Sequence, residues 1–214
     1  MQNYSRYLRP GNIVVDLGAN VGLLTLVAAK IVGNAGMVYS FEPCPKIYGY
    51  LKGNTRHNQA LNVKIYNVAL GNYDGAAMFS NNAADDGNHI IFDGAGVKVP
   101  VNRLDTFLPE AITVHLLKID VEGFEKFVLE GACRVLASTR CIYFESSSSL
   151  YARYGYTCRD VFRMLKGEGF SLYRAAGAGT LQSLPFDHAS EEIDNLIALK
   201  DLAEFLSLTD LTLV

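Results

Sequence analysis

The stretch Asn12-Ile-Val-Val-Asp-Leu-Gly-Ala-Asn-Val-Gly22 decides the fold prediction, because a short apolar run leads directly into a turn with two glycines. The run from Asn12 to Leu17 is rich in β-branched residues and ends at Gly18, which predicts a buried strand. Apolar residues at helical spacing follow from Val21 to Val32 and stop at Gly33, which predicts a helix. A strand that turns directly into a helix is typical of α/β proteins.

The same alternation of short apolar runs and longer amphipathic stretches continues along most of the chain. Further strands are predicted at Met37–Glu42, Val63–Leu70, His115–Asp120, Cys141–Glu145, Ser171–Arg174 and Asn195–Leu199. Further helices are predicted at Lys46–Asn58, Phe124–Leu136, Arg159–Glu168 and Leu202–Leu206. This pattern predicts an α/β fold, with a doubly wound, mostly parallel sheet of seven strands and helices on both faces.

Residues 78–104 interrupt this alternation. Asn, Asp and Gly are frequent in the first part of the segment, at Asn81, Asn82, Asp85, Asp86, Gly87 and Asn88. The second part alternates apolar and polar residues in Val97-Lys-Val-Pro-Val101. Loops of this length inside a compact domain are usually functional or mobile. We therefore predict one domain over residues 1–214, with a β-hairpin or flap inserted at residues 78–104.

Composition limits the classes of protein to which this chain can belong. Of its 214 residues, 19 are Lys or Arg and 22 are Asp or Glu, which gives a net charge of −3. A dedicated nucleic-acid binder would have a basic excess, so we expect no nucleic-acid partner. No apolar run reaches the ~18 residues of a membrane span, and Met1–Gly11 lacks the apolar core of a secretory signal. We therefore expect no membrane span and a cytoplasmic location.

The four cysteines, Cys44, Cys133, Cys141 and Cys158, have no CxxC or other metal-ligand spacing. Cys133 and Cys141 lie inside apolar stretches and are expected to be buried as small hydrophobic residues. We predict neither a disulfide nor a zinc site, which agrees with the reducing environment of the cytoplasm.

The turn after the first strand has glycines at positions that suit a ligand site. Gly18 and Gly22 permit a tight turn and a close approach to the backbone, and the following helix presents free N–H groups. The dinucleotide fingerprint G-x-G-x-x-G does not fit, because Asn20 stands where that fingerprint has its second glycine. Asp16, two residues before Gly18, suits a ligand with a positively charged amine. An ordinary strand-to-helix turn is the alternative.

The second predicted strand ends in an acidic residue, in Phe41-Glu42-Pro43. A carboxylate here, roughly 20 residues beyond the first turn, can accept hydrogen bonds from both hydroxyls of a ribose. Asp16 and Glu42 together therefore indicate a ligand that contains adenosine and an amine but no pyrophosphate. S-adenosylmethionine is the predicted cofactor. The alternative for Glu42 is a surface carboxylate without a ligand.

Five stretches of the sequence resemble the FkbM-type family of class I S-adenosylmethionine-dependent methyltransferases. They are Val15-Asp-Leu-Gly-Ala-Asn-Val-Gly22, Gly36-Met-Val-Tyr-Ser-Phe-Glu-Pro43, Val68-Ala-Leu-Gly-Asn72, Leu104-Asp105 and Leu117-Lys-Ile-Asp-Val-Glu-Gly-Phe-Glu125. The last stretch is the most specific, and the resemblance covers about residues 10–150. It implies a Rossmann-like methyltransferase fold and methyl transfer to a hydroxyl oxygen, commonly of a sugar or secondary metabolite.

The resemblance also implies roles for individual residues. The loop on the methionine side of the cofactor would contain Asp16, Gly18, Ala19, Asn20 and Gly22. Glu42, followed by Pro43, would hold the ribose, and Val68 and Ala69 would flank the adenine. Asp120 would lie beside both the sulfonium and the acceptor.

Carboxylates near the ends of the fourth and fifth predicted strands are the catalytic candidates. If the strand continues through Val121, Glu122 returns to the side of Asp120. The pair could act as a general base and its orienting partner, or could bind a divalent cation such as Mg²⁺ through oxygen ligands. The base is the favoured hypothesis, and no residue is assigned to a metal site. Glu145 ends the fifth strand and either faces the acceptor or has no role in the site.

His89, within residues 78–104, is the remaining catalytic candidate, because it could swing over the acceptor as a base. The alternative is a solvated loop histidine. For Glu125, the expected role is to stabilise the N-terminus of a helix. Lys118 precedes Asp120 by two residues and is expected to share its face, so it either pairs with a carboxylate of the site or is only a buried ion-pair partner.

The predicted function is methyl transfer from S-adenosylmethionine to a hydroxylated small-molecule acceptor, by a chain that could form an oligomer. Aromatic residues after the fifth strand, Tyr151, Tyr154 and Tyr156, either contact this acceptor or pack on the sheet edge. One alternative function is a non-catalytic binding or scaffold protein on a methyltransferase fold. The other is a nicotinamide-dependent oxidoreductase, which accounts for the fold and for Glu42 but not for Asn20 and Asp16.

Overall fold

The computed structural model describes residues 6–82, 87–177 and 179–214. The strands are β1 (Ile13–Leu17), β2 (Met37–Phe41), β3 (Val63–Tyr66), β4 (Ala69–Leu70), β5 (Gly75–Phe79), β6 (Ile90–Ile91), β7 (Val97–Asn102), β8 (Val114–Ile119), β9 (Thr139–Ser146), β10 (Ser171–Ala175), β11 (Thr180–Leu184), β12 (Asp194–Leu199) and β13 (Thr212–Leu213). The helices are α1 (Leu23–Val32), α2 (Pro45–His57), α3 (Glu125–Glu130), α4 (Cys133–Ala137), α5 (Ser148–Ala152), α6 (Cys158–Gly167) and α7 (Leu202–Leu208). In this part of the chain, every helix is too short or too polar to cross a membrane.

The main sheet has nine strands within the described residues, in the order β13-β11-β10-β12-β9-β8-β1-β2-β3. The five strands from β9 to β3 run parallel to one another. The pairs β9–β12, β12–β10 and β10–β11 are antiparallel, and β13 runs parallel to β11. The α/β prediction is confirmed. The sheet exceeds the predicted seven strands because β11 and β13 extend its antiparallel edge.

Alternate positions of the central strands enter two separate cores. Val15 and Leu17 of β1 pack with apolar side chains of α3, α4 and α6 on one face of the sheet. Val14 packs with α1 and α7 on the other face. Because β1 is buried on both faces, its residues are apolar except for Asp16. A ligand can therefore reach β1 only at the ends of the strand.

The predicted strand Val63–Leu70 is in fact two strands that belong to different sheets. Asn67 separates β3 from β4, and its side-chain amide donates to the carbonyl oxygens of Glu42 at 2.8 Å and Pro43 at 2.9 Å. Among the residues that the structure describes, β4 belongs to a second sheet of four strands, in the order β4-β7-β5-β6. In this sheet β5 pairs antiparallel with β7. Two of the polar positions singled out within residues 78–104, Asp85 and Asp86, lie outside the described residues.

Two predictions made from apolar stretches are corrected. The predicted helix Phe124–Leu136 divides into α3 and α4 at Gly131, whose backbone packs against the backbone of Gly71. A Cβ atom on Gly131 would lie 1.9 Å from the Gly71 carbonyl oxygen. Cys133, expected to be buried, begins α4 on the surface and is exposed. The four cysteines, which all lie within the described residues, are free thiols.

Replacing Gly131 by Ala is expected to lower the free energy of unfolding by about 1–3 kcal/mol, the range for overpacking at a site that cannot expand. The new methyl group would meet a backbone oxygen rather than a movable side chain. Urea denaturation of the wild-type and variant chains would measure the difference. Gly49→Ala is the matched control. Apart from its chain neighbours and the backbone of its own helix, no atom of the described residues lies within 4 Å of its added Cβ, and Ala in a helix interior stabilises by roughly 0.5–1 kcal/mol. Equal stability of the two variants would contradict the packing argument.

Candidate active site

A cavity of about 450 Å³ opens at the carboxyl ends of β1, β2 and β8. Ligands of doubly wound α/β folds bind at this edge, where the strand order reverses, and small-molecule pockets usually have volumes of roughly 300–1,000 Å³. The predicted cofactor residues that line the cavity are Gly18, Ala19, Asn20, Glu42, Pro43, Val68, Ala69 and Asp120. Asp16 and Gly22, which were predicted with them, do not line it.

Asp16 lies instead in a row of polar side chains that crosses the middle of the sheet. Its cross-strand neighbours are Ser40 on β2 and Lys118 on β8. The Thr25 hydroxyl donates to Asp16 Oδ2 at 2.6 Å, and Lys118 Nζ lies 3.5 Å from Asp16 Oδ1. The Asp16 side chain is fully buried. Asp16 therefore faces the amine of Lys118 and does not line the cavity, a position that does not support the expected contact with a ligand amine.

The two glycines of the first turn allow close packing inside the protein. Gly18 has a φ of +72°, and a Cβ there would lie 1.9 Å from the carbonyl oxygen of Asp120. Gly22 has a φ of +93°, and a Cβ there would lie 2.6 Å from Leu51 Cδ1 of α2. Gly18 therefore makes room for the end of β8 and Gly22 for α2. Gly18 also lines the cavity, so its approach to a ligand stays a prediction, whereas the position of Gly22 does not support one.

Glu42 follows β2 directly and joins the two loops on either side of the cavity. Its Oε2 accepts a hydrogen bond from the Asn20 N–H at 3.0 Å, and its Oε1 accepts one from the Cys44 N–H at 2.9 Å. Burial raises the pKa of Glu42, and these two hydrogen bonds oppose the rise. Because each carboxylate oxygen has two lone pairs, Glu42 can accept further hydrogen bonds from a ligand in the cavity.

Three predicted catalytic carboxylates come together beyond the ends of β8 and β9. One oxygen each of Asp120, Glu122 and Glu145 lies within 4.8 Å of the other two, and all three residues are half-buried. Asp120 and Glu122 line the cavity, whereas Glu145 does not. Burial, followed by the charges of Asp120 and Glu122, raises the pKa of Glu145 to about 7. The cluster can therefore take up a proton near neutral pH.

The backbone brings Asp120 and Glu122 together in a different way from the one predicted. The strand β8 ends at Ile119, so the alternation of a strand does not reach these residues. Glu122 has a φ of +57°, and Gly123 follows with a φ of +97°. Residues with a side chain seldom adopt this left-handed conformation, which is often found at functional sites. A tight turn, rather than strand alternation, returns Glu122 to the side of Asp120.

His89 is not placed with these carboxylates. Its neighbours Asn88 and Ile90 line the cavity, but His89 does not. The His89 Nδ1 lies 2.9 Å from the carbonyl oxygen of Gly87. The prediction of His89 as a base is therefore not supported by its position.

Sequence reasoning missed two polar residues that line the cavity, Tyr143 and Asn195. Tyr143 lies beside Lys118 across the β8–β9 pair, and Asn195 lies opposite Glu145 across the β9–β12 pair. Tyr143 could have been found from the sequence, because it stands two residues before Glu145 on one strand. Asn195 could not, since its position depends on the pairing of β12 with β9.

The tyrosines after β9 use their hydroxyl groups inside the protein. Tyr151 is fully buried. The Tyr156 hydroxyl donates to the Gly123 carbonyl oxygen at 2.5 Å, and the Tyr154 hydroxyl donates to the Ile90 carbonyl oxygen at 2.7 Å. These contacts favour the packing alternative over direct contact with an acceptor.

Glu125 is almost completely buried at the start of α3, with 1% of its surface exposed. Its Oε1 accepts a hydrogen bond from the Val121 N–H at 3.1 Å. Burial raises the pKa of Glu125 to about 8, against the opposing effect of backbone N–H groups. The hydrogen bond from the Val121 N–H agrees with the expected position at the helix N-terminus, and the raised pKa favours the protonated carboxyl there.

This fold and cavity define a Rossmann-like α/β protein with a small-molecule site at the point where the strand order reverses. Residues 16–172 match the methyltransferase FkbM domain. This match includes most of the chain, and the chain belongs to the FkbM methyltransferase family.

Two curated relatives are similar in sequence. Methyltransferase 1 of Beauveria bassiana is 26% identical over 56% of this chain and 58% of that protein. The 31-O-demethyl-FK506 methyltransferase FkbM of Streptomyces tacrolimicus is 29% identical over 58% of this chain and 60% of that protein. The chain thus matches less than two thirds of the length of these relatives.

Solved structures share the fold at low sequence identity. Methyltransferase FkbM from Methylobacillus flagellatus KT has a TM-score of 0.58 and 16% identity, over 92% of this chain and 48% of that chain. Precorrin-6y C5,15-methyltransferase from Geobacter metallireducens GS-15 has a TM-score of 0.52 and 13% identity, over 92% of this chain and 84% of that chain.

Glu125→Gln is expected to remove a pH dependence of stability. The carboxyl has an ordinary pKa of 4.5 when the chain is unfolded and about 8 when it is folded. Between these values the folded chain holds the additional proton, so stability falls as the pH rises. The variant should gain at least about 1 kcal/mol over the wild type between pH 5 and pH 8, since one pKa unit corresponds to about 1.4 kcal/mol.

Urea denaturation at several pH values would measure this difference. The exposed Glu110→Gln serves as the control, and its difference from the wild type should not change with pH. A constant difference between Glu125→Gln and the wild type would show that Glu125 is ionised in the folded chain.

Proposed function

We propose that this chain is an S-adenosylmethionine-dependent methyltransferase that acts on a hydroxyl oxygen of a small molecule. The observation that carries the proposal is the cavity, which has Glu42 in its wall at the end of β2 and Asp120 in its wall at the end of β8. Membership of the FkbM family supports methyl transfer. The Streptomyces tacrolimicus relative, which is named for 31-O-demethyl-FK506, supports an oxygen acceptor.

The walls of the cavity fit the parts of the proposed cofactor. Glu42 can accept the two ribose hydroxyls with the lone pairs that the backbone N–H groups leave free. Val68 and Ala69, which are both buried, offer an apolar surface to the adenine. Gly18 and Asn20 line the cavity and belong to the loop proposed to bind the methionine part. Asp16 does not line the cavity and pairs with Lys118, which binds this loop.

S-adenosylmethionine supplies a methyl group carried on a sulfonium, and transfer to an alcohol gives a methyl ether, S-adenosylhomocysteine and a proton. The alcohol oxygen is a poor nucleophile until a base takes this proton. Asp120 and Glu122 line the cavity where the base must act, and Glu145 adjoins both. We assign the proton to the cluster of three carboxylates, since closely spaced carboxylates titrate as a unit.

The charges of the site favour an uncharged acceptor. Three carboxylates meet at the ends of β8 and β9, whereas the cation beside them, Lys118, is already paired with Asp16 and Asp120. An acceptor with a phosphate or carboxylate group would be repelled here. The same repulsion supports the proposal that nucleic acid is not the substrate. Tyr143 and Asn195 are the polar groups that we assign to the hydroxyls of the acceptor. An oligomeric state and a cytoplasmic location stay predictions.

Glu42→Gln is expected to weaken S-adenosylmethionine binding about 10- to 100-fold, because a hydrogen bond to a charged group contributes about 1.5–3 kcal/mol. Isothermal titration calorimetry would measure the dissociation constants of both chains. The exposed Glu191→Gln is the control and should bind like the wild type, and NADH should not bind to the wild type. Undiminished affinity of Glu42→Gln would contradict its role, and a wild-type chain that binds NADH alone would contradict the cofactor.

The rate of methyl transfer is expected to rise with pH through about 7 and then level off. The proton acceptor must be ionised, and the pKa of Glu145 of about 7 means that the cluster holds its additional proton at lower pH. Glu145→Gln should remove this rise and lower the rate, but by less than the roughly 10²- to 10⁴-fold of a lost general base, because Asp120 and Glu122 still line the cavity. Formation of S-adenosylhomocysteine with a panel of neutral sugars and phenols, between pH 5 and pH 9, would measure both effects.

EDTA separates this proposal from the alternative that the carboxylates bind a divalent cation. The proposal expects the same rate with and without EDTA, because the proton passes to carboxylates of this chain. Loss of activity in EDTA and recovery with Mg²⁺ would instead favour the cation.

A further inference from the structure

Lys118 holds together the ends of the two central strands that form the cavity. Its ammonium group donates to the carbonyl oxygens of Gly18 at 2.8 Å and Leu17 at 3.2 Å. It also lies 3.3 Å from Asp120 Oδ2 and 3.5 Å from Asp16 Oδ1. Only 13% of its side-chain surface is exposed. One buried cation therefore contacts β1, the loop after β1 and the segment after β8.

The simplest role for Lys118 would be to neutralise Asp16, since a buried carboxylate without a cation strongly destabilises a protein. Asp16 Oδ2 already accepts a hydrogen bond from Thr25, and among the residues that the structure describes its Oδ1 has no hydrogen-bond partner besides this ion pair. However, the shortest contacts of Lys118 are not with Asp16. They are with the carbonyl oxygens of Gly18 and Leu17 and with the carboxylate of Asp120, and all three of these residues line the cavity. Neutralisation of Asp16 alone does not require these contacts.

The loop after β1 also forms backbone hydrogen bonds with β2, on the side opposite to Lys118. The Gly18 and Ala19 N–H groups donate to the Phe41 carbonyl oxygen at 3.1 and 2.9 Å. They fix the N–H side of the loop to β2. The Gly18 carbonyl oxygen points the other way, toward β8, and Lys118 binds it there. The loop is therefore fixed between β2 and β8, and Lys118 supplies the side-chain contact on the β8 side.

We propose that Lys118 is a positioning residue that holds the loop Gly18–Asn20 and the carboxylate of Asp120 at a fixed separation, and thereby sets the affinity for the cofactor. This inference rests on the proposed function, because S-adenosylmethionine is the probe. A small misplacement of a positioned group can reduce function about 10²-fold, so the effect is large enough to separate from experimental error.

Two variants distinguish positioning from neutralisation. Lys118→Met removes the cation, so the melting temperature should fall and the dissociation constant for S-adenosylmethionine should rise at least tenfold. The double variant Asp16→Asn with Lys118→Met also removes the buried charge that lost its partner, while the oxygen of the introduced amide could still accept a hydrogen bond from Thr25. Its melting temperature should return toward the wild-type value, but its affinity should stay at least tenfold weaker.

Calorimetric titration with S-adenosylmethionine and thermal unfolding of each chain would provide these values. Lys64→Met is the matched control, because Lys64 is an exposed lysine on β3 and the variant should bind the cofactor like the wild type. Recovery of both stability and affinity in the double variant would overturn the positioning role and leave only neutralisation. If the wild type itself fails to bind S-adenosylmethionine, the proposed function falls and this inference falls with it. Wild-type affinity in Lys118→Met would overturn the inference alone.

Discussion

The close approach of β1 and β8 beyond their last paired residues is the constraint on which the site depends. Leu17 and Ile119 form the last pair in register, and the Asp120 N–H then donates to the Leu17 carbonyl oxygen at 3.2 Å. The residue that follows β1, Gly18, must be a glycine, because the Cβ atom of any other residue would collide with the Asp120 carbonyl oxygen. This single contact places the loop at one wall of the cavity and an acidic side chain at another. Separation of the two strands would move both walls.

The central strands were predictable because each is a short apolar run that is buried on both faces. The observed bounds of β1, β2, β8 and β9 differ from the predicted bounds by at most two residues. The edge strands were not predictable in this way. In β11 only Leu181 and Leu184 are buried, so its sequence lacks a strong pattern and its conformation depends on pairing with β10. Asn67 likewise ends β3 through bonds to another loop, which a local pattern cannot reveal.

Site residues were predictable where their position along one strand decides whether they reach the cavity. They were unpredictable where the register between neighbouring strands decides what they contact. Glu42 and Asp120 line the cavity because each directly follows a parallel strand, and the carboxyl ends of such strands share one edge of the sheet. Asp16 lies one residue inside its strand, so its contacts depend on which residues lie beside it in β2 and β8. Those neighbours are Ser40 and Lys118, and no pattern within one strand identifies them. Because the register places Lys118 beside Asp16, Asp16 forms an ion pair inside the protein where a ligand contact was expected.

Glu42 constrains how this pocket can change during evolution. Its two oxygens bind backbone N–H groups of Asn20 and Cys44, which lie in loops after different strands. A neutral apolar residue at this position would remove the negative charge from the wall of the cavity but would leave both N–H groups without an acceptor. A descendant that lost this charge would therefore have to rebuild two loops together. Single substitutions are a poor route to such a change, so the acidic residue ties the charge of the cavity to the conformation of its loops.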